Sequence, residues 1–242
     1  MPSLEAYRRA LDYSYAPGLF PCMEALTHRP DLVRRVLLHS KAEQSAATDR
    51  LLSLCQANGI RLETADRALA RLSGKENVFA AAVFAKEQAA LSPASNHLVL
   101  HETSDSGNLG TMLRTALGFG YTDIAVIRPA ADPFDPRVIR ASMGAIFSLR
   151  LTEYGGFDAY REAFVQHALY PFMLQGSATL DKACQSARFP HALIFGNEGS
   201  GLPERFAALG QAVRIPHGDA IDSLNLAIAA GIGMYAFSSI QL

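Results

Sequence analysis

The 242-residue sequence has no tryptophan, few cysteines and no strong excess of either charge. Its three cysteines, Cys22, Cys55 and Cys184, lie far apart and form no Cys-x-x-Cys pair, which argues against a disulfide framework and a cysteine zinc site. We expect them to be small buried side chains and expect no metal. The net charge of −1 gives no indication of nucleic acid, because proteins that bind it mainly by charge are usually strongly basic. Any such partner has to be inferred from motifs.

Long hydrophobic runs are also missing. The apolar segment 224–237 is interrupted by Asn225 and is shorter than the about 20 residues that a membrane span needs. The N-terminal stretch MPSLEAYRRALDYS carries charges throughout and does not resemble a signal peptide. With 49% hydrophobic and 19% charged residues the composition is that of a folded globular protein. We therefore expect a cytoplasmic protein without a membrane partner.

The pattern of apolar residues predicts two domains. Residues 29–40 and 76–86 predict strands, and residues 45–60 predict a helix followed by an Asn-Gly turn. A Pro- and Ser-rich interruption at 91–97 ends this section, so we expect a first domain over 1–92 and a second over 93–242. In the second, helix-length segments separate apolar runs at 98–101, 123–129, 147–154, 170–176 and 191–197. This alternation predicts an α/β domain with a mainly parallel sheet.

Parallel sheets bind ligands in the loops at the carboxyl ends of their strands. The loop after the run 98–101 contains Gly107 and Asn108, and Arg114 lies in the predicted helix 109–118. A helix N-terminus presents free N–H groups to an anion, and a guanidinium nearby could clamp a phosphate. The alternative is that Asn108 caps the helix and Arg114 pairs with a surface carboxylate.

Two later loops carry unusual residues as well. In the sequence 194–203, IFGNEGSGLP, glycines surround Glu198 and could let backbone approach a ligand, although an ordinary glycine-rich turn explains them equally well. In residues 214–237 a short strand enters a polar turn and a helix, which Asp222 or Ser223 would cap. Neither a P-loop nor a dinucleotide fingerprint after a strand is present, which argues against a nucleotide-dependent oxidoreductase.

Three motifs in order resemble those of one family. They are N-x-G-x-x-x-R-T-A at 108–116, F-G-N-E-G-x-G-L at 195–202, and I-P followed by S-L-N-x-A at 215–227. They resemble the SpoU (TrmH-like) group of SPOUT RNA ribose methyltransferases. Residues 136–151 resemble the family's segment between the first two motifs. The front section is similar to its small substrate-binding domain, which resembles ribosomal RNA-binding proteins.

The resemblance implies transfer of a methyl group from S-adenosylmethionine to a ribose 2′-hydroxyl of RNA by a homodimer. It implies that the second domain ends in a trefoil knot, a rare exception among folds, and that the last helix helps to form the dimer. By the same resemblance the cofactor contacts would be Gly196, Gly199, Ile215 and Leu224. The reaction site would be lined by Asn108, Arg114, Glu198, Ser223 and Asn225.

The roles of these residues follow from their chemistry. An arginine is effectively never deprotonated in proteins, so our hypothesis is that Arg114 clamps a phosphate and stabilises the developing alkoxide. Glu198 and Ser223 would orient Arg114, the ribose or a proton-accepting water. The sequence departs from the family at Ser106, where proline is common, and at His217, where methionine is common. We expect His217 to face solvent, and its substitution to change the rate little.

The first domain favours ribosomal RNA, specifically that of the large subunit, over transfer RNA as substrate. A transfer RNA methyltransferase and a non-catalytic RNA-binding or ribosome-assembly protein of the same fold remain the alternatives. Basic side chains of this domain are candidates for contacts with the RNA backbone, although solvated helix faces explain most of them equally well. These candidates are Arg29, Arg34, Arg35, Lys41, Arg61, Arg67, Arg71 and Lys75.

Overall fold

The structure is a computed structural model that describes residues 5–73 and 78–240. It contains two compact units: the described part of Met1–Glu87 with Asp132–Ser148, and the described part of Gln88–Ala131 with Leu149–Leu242. The chain thus passes from one unit to the other between residues 87 and 88, near the boundary expected after residue 92. Segment 132–148, which the prediction placed in the second domain, packs within the first unit.

The helices and strands follow the predicted alternation. Up to residue 87 the elements are β1 (Tyr13–Pro17), α1 (Leu19–His28), β2 (Val33–Leu38), α2 (Ala46–Ala57), β3 (Leu62–Thr64), α3 (Asp66–Ser73) and β4 (Ala80–Ala85). Next come β5 (His97–His101), α4 (Ser106–Gly118), β6 (Asp123–Ile127), α5 (Pro136–Ala141), β7 (Arg150–Tyr154), α6 (Phe157–Ala163) and β8 (Ala168–Pro171). The last are β9 (Ala178–Thr179), α7 (Leu180–Gln185), β10 (His191–Phe195), β11 (Val213–Arg214) and α8 (Leu226–Ser238). Short 3₁₀ turns occupy Pro30–Leu32, Ala145–Ser148 and Glu204–Ala208.

The first unit is built on a sheet with the strand order β1-β4-β2-β3. Strand β4 pairs antiparallel with β1 and β2, and β3 pairs parallel with β2. Two contacts hold segment 132–148 within the first unit. The ring of Phe147 lies 4.9 Å from that of Phe84, and the Ser14 hydroxyl donates to the Phe134 carbonyl at 2.5 Å. Of the three cysteines, Cys22 and Cys55 are buried as expected, whereas Cys184 is partly exposed.

The second unit contains a five-stranded parallel sheet with the order β7-β6-β5-β10-β8. Strands β5, β6 and β10 are buried along their whole length, which explains why they read as continuous apolar runs. The predicted class, a mainly parallel α/β domain preceded by a small α/β domain, is therefore confirmed. The chain moves outward from β5 through β6 to β7, but β10 returns to the other side of β5. Ligands bind at such reversals, outside the carboxyl ends of the strands.

Two further expectations concern membranes and metals. None of the described helices has the length and apolar composition of a membrane-spanning helix. Within the described residues, no group of three or more His, Cys, Asp and Glu side chains is arranged to hold a metal ion.

Candidate active site

Glu198, which follows β10, fastens two loops at the carboxyl edge of the sheet. One carboxylate oxygen accepts hydrogen bonds from the Ser104 N–H at 3.0 Å and the Ser104 hydroxyl at 2.8 Å. The other accepts from the Asp105 N–H at 3.0 Å and the Asn108 side-chain amide at 3.3 Å. Burial raises the pKa of Glu198, but these donors outweigh burial and lower the pKa to about 2. Glu198 is therefore ionised at neutral pH and unsuited to accept a proton.

Asn108 and Asn225 extend this network to the third motif. The side-chain amide of Asn225 donates to the side-chain oxygen of Asn108 at 3.1 Å. The same Asn108 side chain donates to Glu198, so the three motifs meet in one chain of hydrogen bonds. The structure thus brings together three of the five residues predicted to line the reaction site.

Both helix caps differ from the expected ones. Helix α4 begins at Ser106, earlier than predicted, and its cap is Asp105, whose carboxylate accepts from the Asn108 N–H at 2.7 Å. Asn108 therefore lies inside the helix, with its side chain free for the network. Helix α8 is capped by Asn225, which accepts from the backbone N–H groups of the second and third residues after it at 2.9 and 3.2 Å. The expectation of a cap at Asp222 or Ser223 is wrong because the helix begins only at residue 226.

Arg114 and Ser223 are exposed. Among the described residues neither side chain has a hydrogen-bond or ion-pair partner, so the alternative that Arg114 pairs with a surface carboxylate is not supported. No hydrogen bond or ion pair joins Arg114 to Glu198 in the described structure either, since Glu198 accepts from Ser104, Asp105 and Asn108. The guanidinium of Arg114 is thus available to a ligand.

One cleft, of about 290 Å³, is lined by all four residues predicted to contact a cofactor. They are Gly196, Gly199, Ile215 and Leu224. Glu198, Ser223 and His217 also line the cleft. His217 is exposed, and its Nδ1 lies 2.9 Å from the Ile215 carbonyl, which fixes this nitrogen as the N–H donor. Asn108, Arg114 and Asn225 are not among the lining residues.

Gly196 sits where no side chain fits. A Cβ there would lie 2.3 Å from the carbonyl carbon of Gly201 and 2.5 Å from the backbone nitrogen of Leu202. The loop from Asn197 to Gly201 folds back on itself through paired backbone hydrogen bonds of 3.1 and 3.0 Å between these two residues. Gly201 has a positive φ of 69°, which favours glycine. Glycine at 196 is therefore required for the loop to pack this closely on itself, and the buried Gly196 backbone forms part of the cleft wall.

Sequence reasoning gave no role to Asn197 or Ser104. The side-chain oxygen of Asn197 accepts from the backbone N–H groups of Gly199 and Ser200 at 2.9 and 3.2 Å. Its amide donates to the carbonyl of Glu102 at 2.9 Å, so Asn197 joins the glycine-rich loop to the loop after β5. An asparagine before a glycine-rich turn is a known turn former, and this signal could have identified it.

The candidates for RNA contacts in the first unit fall into two groups. Four are paired with carboxylates at 2.7–3.2 Å: Arg29 with Asp31 and Glu87, Arg34 with Asp12, and Arg35 and Arg61 with Glu63. The exposed basic residues Lys41, Arg67 and Arg71 form the second group, and Lys75 lies outside the described residues. Much of the positive charge that was expected to face RNA is therefore already compensated.

Comparison with known proteins now decides the family. The model of the SpoU rRNA methylase family matches residues 95–235, and a model named RNA 2′-O ribose methyltransferase substrate binding matches residues 15–89. The first match covers more than half of the chain. The protein belongs to the SpoU rRNA methylase family.

Relatives of this SpoU protein include a 23S rRNA (guanosine(2553)-2′-O)-methyltransferase of Bacillus subtilis, 32% identical over 64% of this chain and 62% of the relative. An uncharacterized tRNA/rRNA methyltransferase of Synechocystis is 35% identical over 57% of this chain and 51% of the relative. The chain thus spans only about half to three fifths of these relatives. Its fold is similar to that of the SpoU methyltransferase AviRb from Streptomyces viridochromogenes in complex with AdoMet. The TM-score is 0.76 and the identity 24%, over 95% of this chain and 91% of that one.

Proposed function

We propose that this SpoU-family protein transfers a methyl group from S-adenosylmethionine to a ribose 2′-hydroxyl of ribosomal RNA. The observation that carries the proposal is the meeting of the three motifs through Glu198, Asn108 and Asn225, beside a cleft lined by the expected cofactor residues. The Bacillus relative is named as a ribosomal RNA 2′-O-methyltransferase, and AviRb is described with AdoMet.

The cleft suits S-adenosylmethionine. Its volume of about 290 Å³ is near the lower end of small-molecule pockets, which start at roughly 300 Å³. Leu174, Ile215 and Leu224 offer apolar contacts to an adenosine, and the bare backbone at Gly196 and Gly199 offers hydrogen-bonding groups. When bound, S-adenosylmethionine supplies an electrophilic methyl group on a sulfonium. We also infer that the chain from β10 to α8 forms the trefoil knot that the family resemblance implies.

Arg114 acts on the RNA in this proposal. Its guanidinium has no partner among the described residues, so it can bind a phosphate next to the target ribose and stabilise negative charge on the 2′-oxygen. It stays protonated at any physiological pH and does not remove the proton.

The proton of the 2′-hydroxyl passes to solvent water in this proposal. Glu198 has a lowered pKa of about 2 and is saturated with donors, so it positions the loops and takes no proton. Ser223, exposed at the cleft, orients the ribose or the accepting water. Positioning can contribute about 7 to 11 kcal/mol to such a reaction, so the site needs no strong base.

We propose that the protein acts as a homodimer. Helix α8 presents Ile228, Ile232 and Tyr235 on one face at spacings of four and three residues, and their exposed fractions are 57%, 36% and 61%. An apolar face of this kind is typical of a subunit interface. Substitution I232E should therefore convert the dimer to a monomer in sedimentation experiments, whereas a wild type that is monomeric at all concentrations would contradict this assignment.

The experiment that tests the reaction uses isotopically labelled S-adenosylmethionine with separate pools of unmodified ribosomal and transfer RNA. We expect label in a 2′-O-methylnucleoside from ribosomal RNA, lost in R114A. Label only in transfer RNA would overturn the choice of substrate. Absence of label from both pools, with cofactor binding intact, would favour the non-catalytic RNA-binding alternative.

A further inference from the structure

A second groove lies at the opposite end of the parallel sheet, where strands β8 and β10 begin. It has a volume of about 700 Å³ and is formed by the residues that precede β10 and begin β8, including Phe189, Pro190 and Leu169. The cofactor cleft lies beyond the carboxyl ends of the same two strands. Five residues of β10 separate the two edges, a length of about 16 Å at roughly 3.3 Å per residue. The groove is therefore distinct from the reaction site.

The charge of this groove has one sign. Its charged lining residues are Arg161 and Arg188, since burial lowers the pKa of His167 and keeps that ring neutral, and no Asp or Glu of the described chain lines it. Arg188 is exposed, and its guanidinium has no partner among the described residues. Arg161 donates through one nitrogen to the carbonyls of Val165 and His167 at 3.2 and 3.5 Å, which leaves its other N–H groups available. The groove thus contrasts with the first unit, where four of the candidate arginines are paired with carboxylates.

The groove also presents an aromatic surface. One side of the Phe189 ring contacts His191, with centroids 5.1 Å apart, yet Phe189 is 46% exposed. The side-chain amides of Gln166 and Gln211 line the same groove and offer both donors and acceptors. Cationic side chains that track a backbone, combined with an aromatic ring on which a base stacks, are the features of single-stranded nucleic-acid sites.

We propose that this groove binds a single-stranded segment of RNA, with Arg188 and Arg161 on phosphates and a base stacked on Phe189. The proposal goes beyond the reaction site, because it assigns RNA contacts to the edge of the sheet farthest from the cofactor cleft. RNA suits this groove because the positive charge attracts a polyanion and the exposed Phe189 ring can stack on a base. A strand held here would add affinity without taking part in methyl transfer.

The test measures binding of a fluorescently labelled, mixed-sequence single-stranded RNA of about 12 nucleotides, within the length that such sites cover. We expect R188A to weaken binding and to reduce the slope of log K against log salt by about 0.7, the value for one phosphate contact on a single strand. F189L should weaken binding about fivefold or more through lost stacking and leave the salt slope unchanged. R214A is the matched control, since Arg214 is an exposed arginine of the same unit that lines neither groove.

The proposal is overturned if R188A and F189L bind this RNA like the wild type, or if R214A weakens binding as much as R188A. It is also overturned if F189L converts a dimer to a monomer in sedimentation, because the groove would then hold a second copy of the chain. Binding of S-adenosylmethionine should stay unchanged in each variant. If R188A and F189L lose RNA binding but the wild type transfers no methyl group, the groove binds RNA and the proposed reaction is contradicted. The two proposals can therefore fail independently.

Discussion

Substitution of Gly196 by alanine should disable the cofactor cleft. The added Cβ would lie 2.3 Å from the Gly201 carbonyl carbon, whereas ordinary contacts begin at 3.4 Å, so the two segments must separate by about 1 Å. The atoms that the Cβ would meet belong to the backbone of Gly201 and Leu202, so no side-chain rotation relieves the contact. The separation breaks the two hydrogen bonds between Asn197 and Gly201, each with a net contribution of about 0.5 to 1.5 kcal/mol.

The expected cost of G196A is therefore about 1 to 3 kcal/mol, which corresponds to a roughly 5- to 150-fold weaker affinity for the cofactor. Isothermal titration with S-adenosylmethionine measures it, and thermal unfolding reports whether the fold survives. G118A is the matched control, because a Cβ at Gly118 meets nothing within 4 Å and Gly118 does not line the cleft. Wild-type affinity in G196A, or an equal loss in G118A, would refute the reasoning.

Three further predictions concern the network, the free arginine and the buried histidines. N225A should lower the unfolding free energy by about 1 kcal/mol, because it removes the cap of α8. N225D should keep the cap but lose methyl transfer, because a carboxylate cannot donate to Asn108. Denaturant unfolding measures the effect on stability, and rate measurements measure the effect on methyl transfer. R114A should lower the rate at least about 100-fold with an unfolding free energy within about 0.5 kcal/mol of wild type, and a retained rate would contradict the assigned role. Burial lowers the pKa of His97 and His191 to about 4, whereas a histidine of the unfolded chain has a pKa of about 6.5. Between these values the unfolded chain binds more protons than the folded chain. The unfolding free energy should therefore fall as the pH drops from about 6.5 to about 4. Denaturant unfolding that is independent of pH in this range would contradict the last prediction.

Sequence reasoning succeeded where the physical signal is local. Strands buried on both faces are mostly apolar, so the central residues of β5, β6 and β10 could be recognised as short apolar runs, although His97, Asp123 and His191 are buried at the strand ends. The family motifs singled out Asn108, Glu198 and Asn225, which the structure joins by hydrogen bonds, while their part in a reaction stays a prediction. Helix caps were predicted less well, because several polar residues precede α4 and α8 and only the backbone conformation selects one of them.

Segment 132–148 shows a limit of local patterns. Its sequence follows β6, and nothing in its periodicity links it to residues 63 to 120 positions earlier. Its place in the first unit depends on contacts such as Ser14 with Phe134 and Phe84 with Phe147. Likewise, ion pairs with carboxylates compensate Arg29 and Arg34, which by sequence alone were candidates for RNA contacts.

The sequence by itself determined the fold class, the order of the motifs and the residue types at the site, because these depend on side-chain chemistry and its spacing along the chain. Only the tertiary structure decided that β10 lies beside β5, which brings the Glu198 carboxylate within 3.0 Å of the Ser104 N–H across 94 positions of sequence. That contact makes Glu198 a clamp between two loops, and the amide donors hold its carboxylate ionised by lowering its pKa to about 2. A pKa depends on every group within a few ångströms of the carboxylate, and those neighbours are known only once the chain is folded.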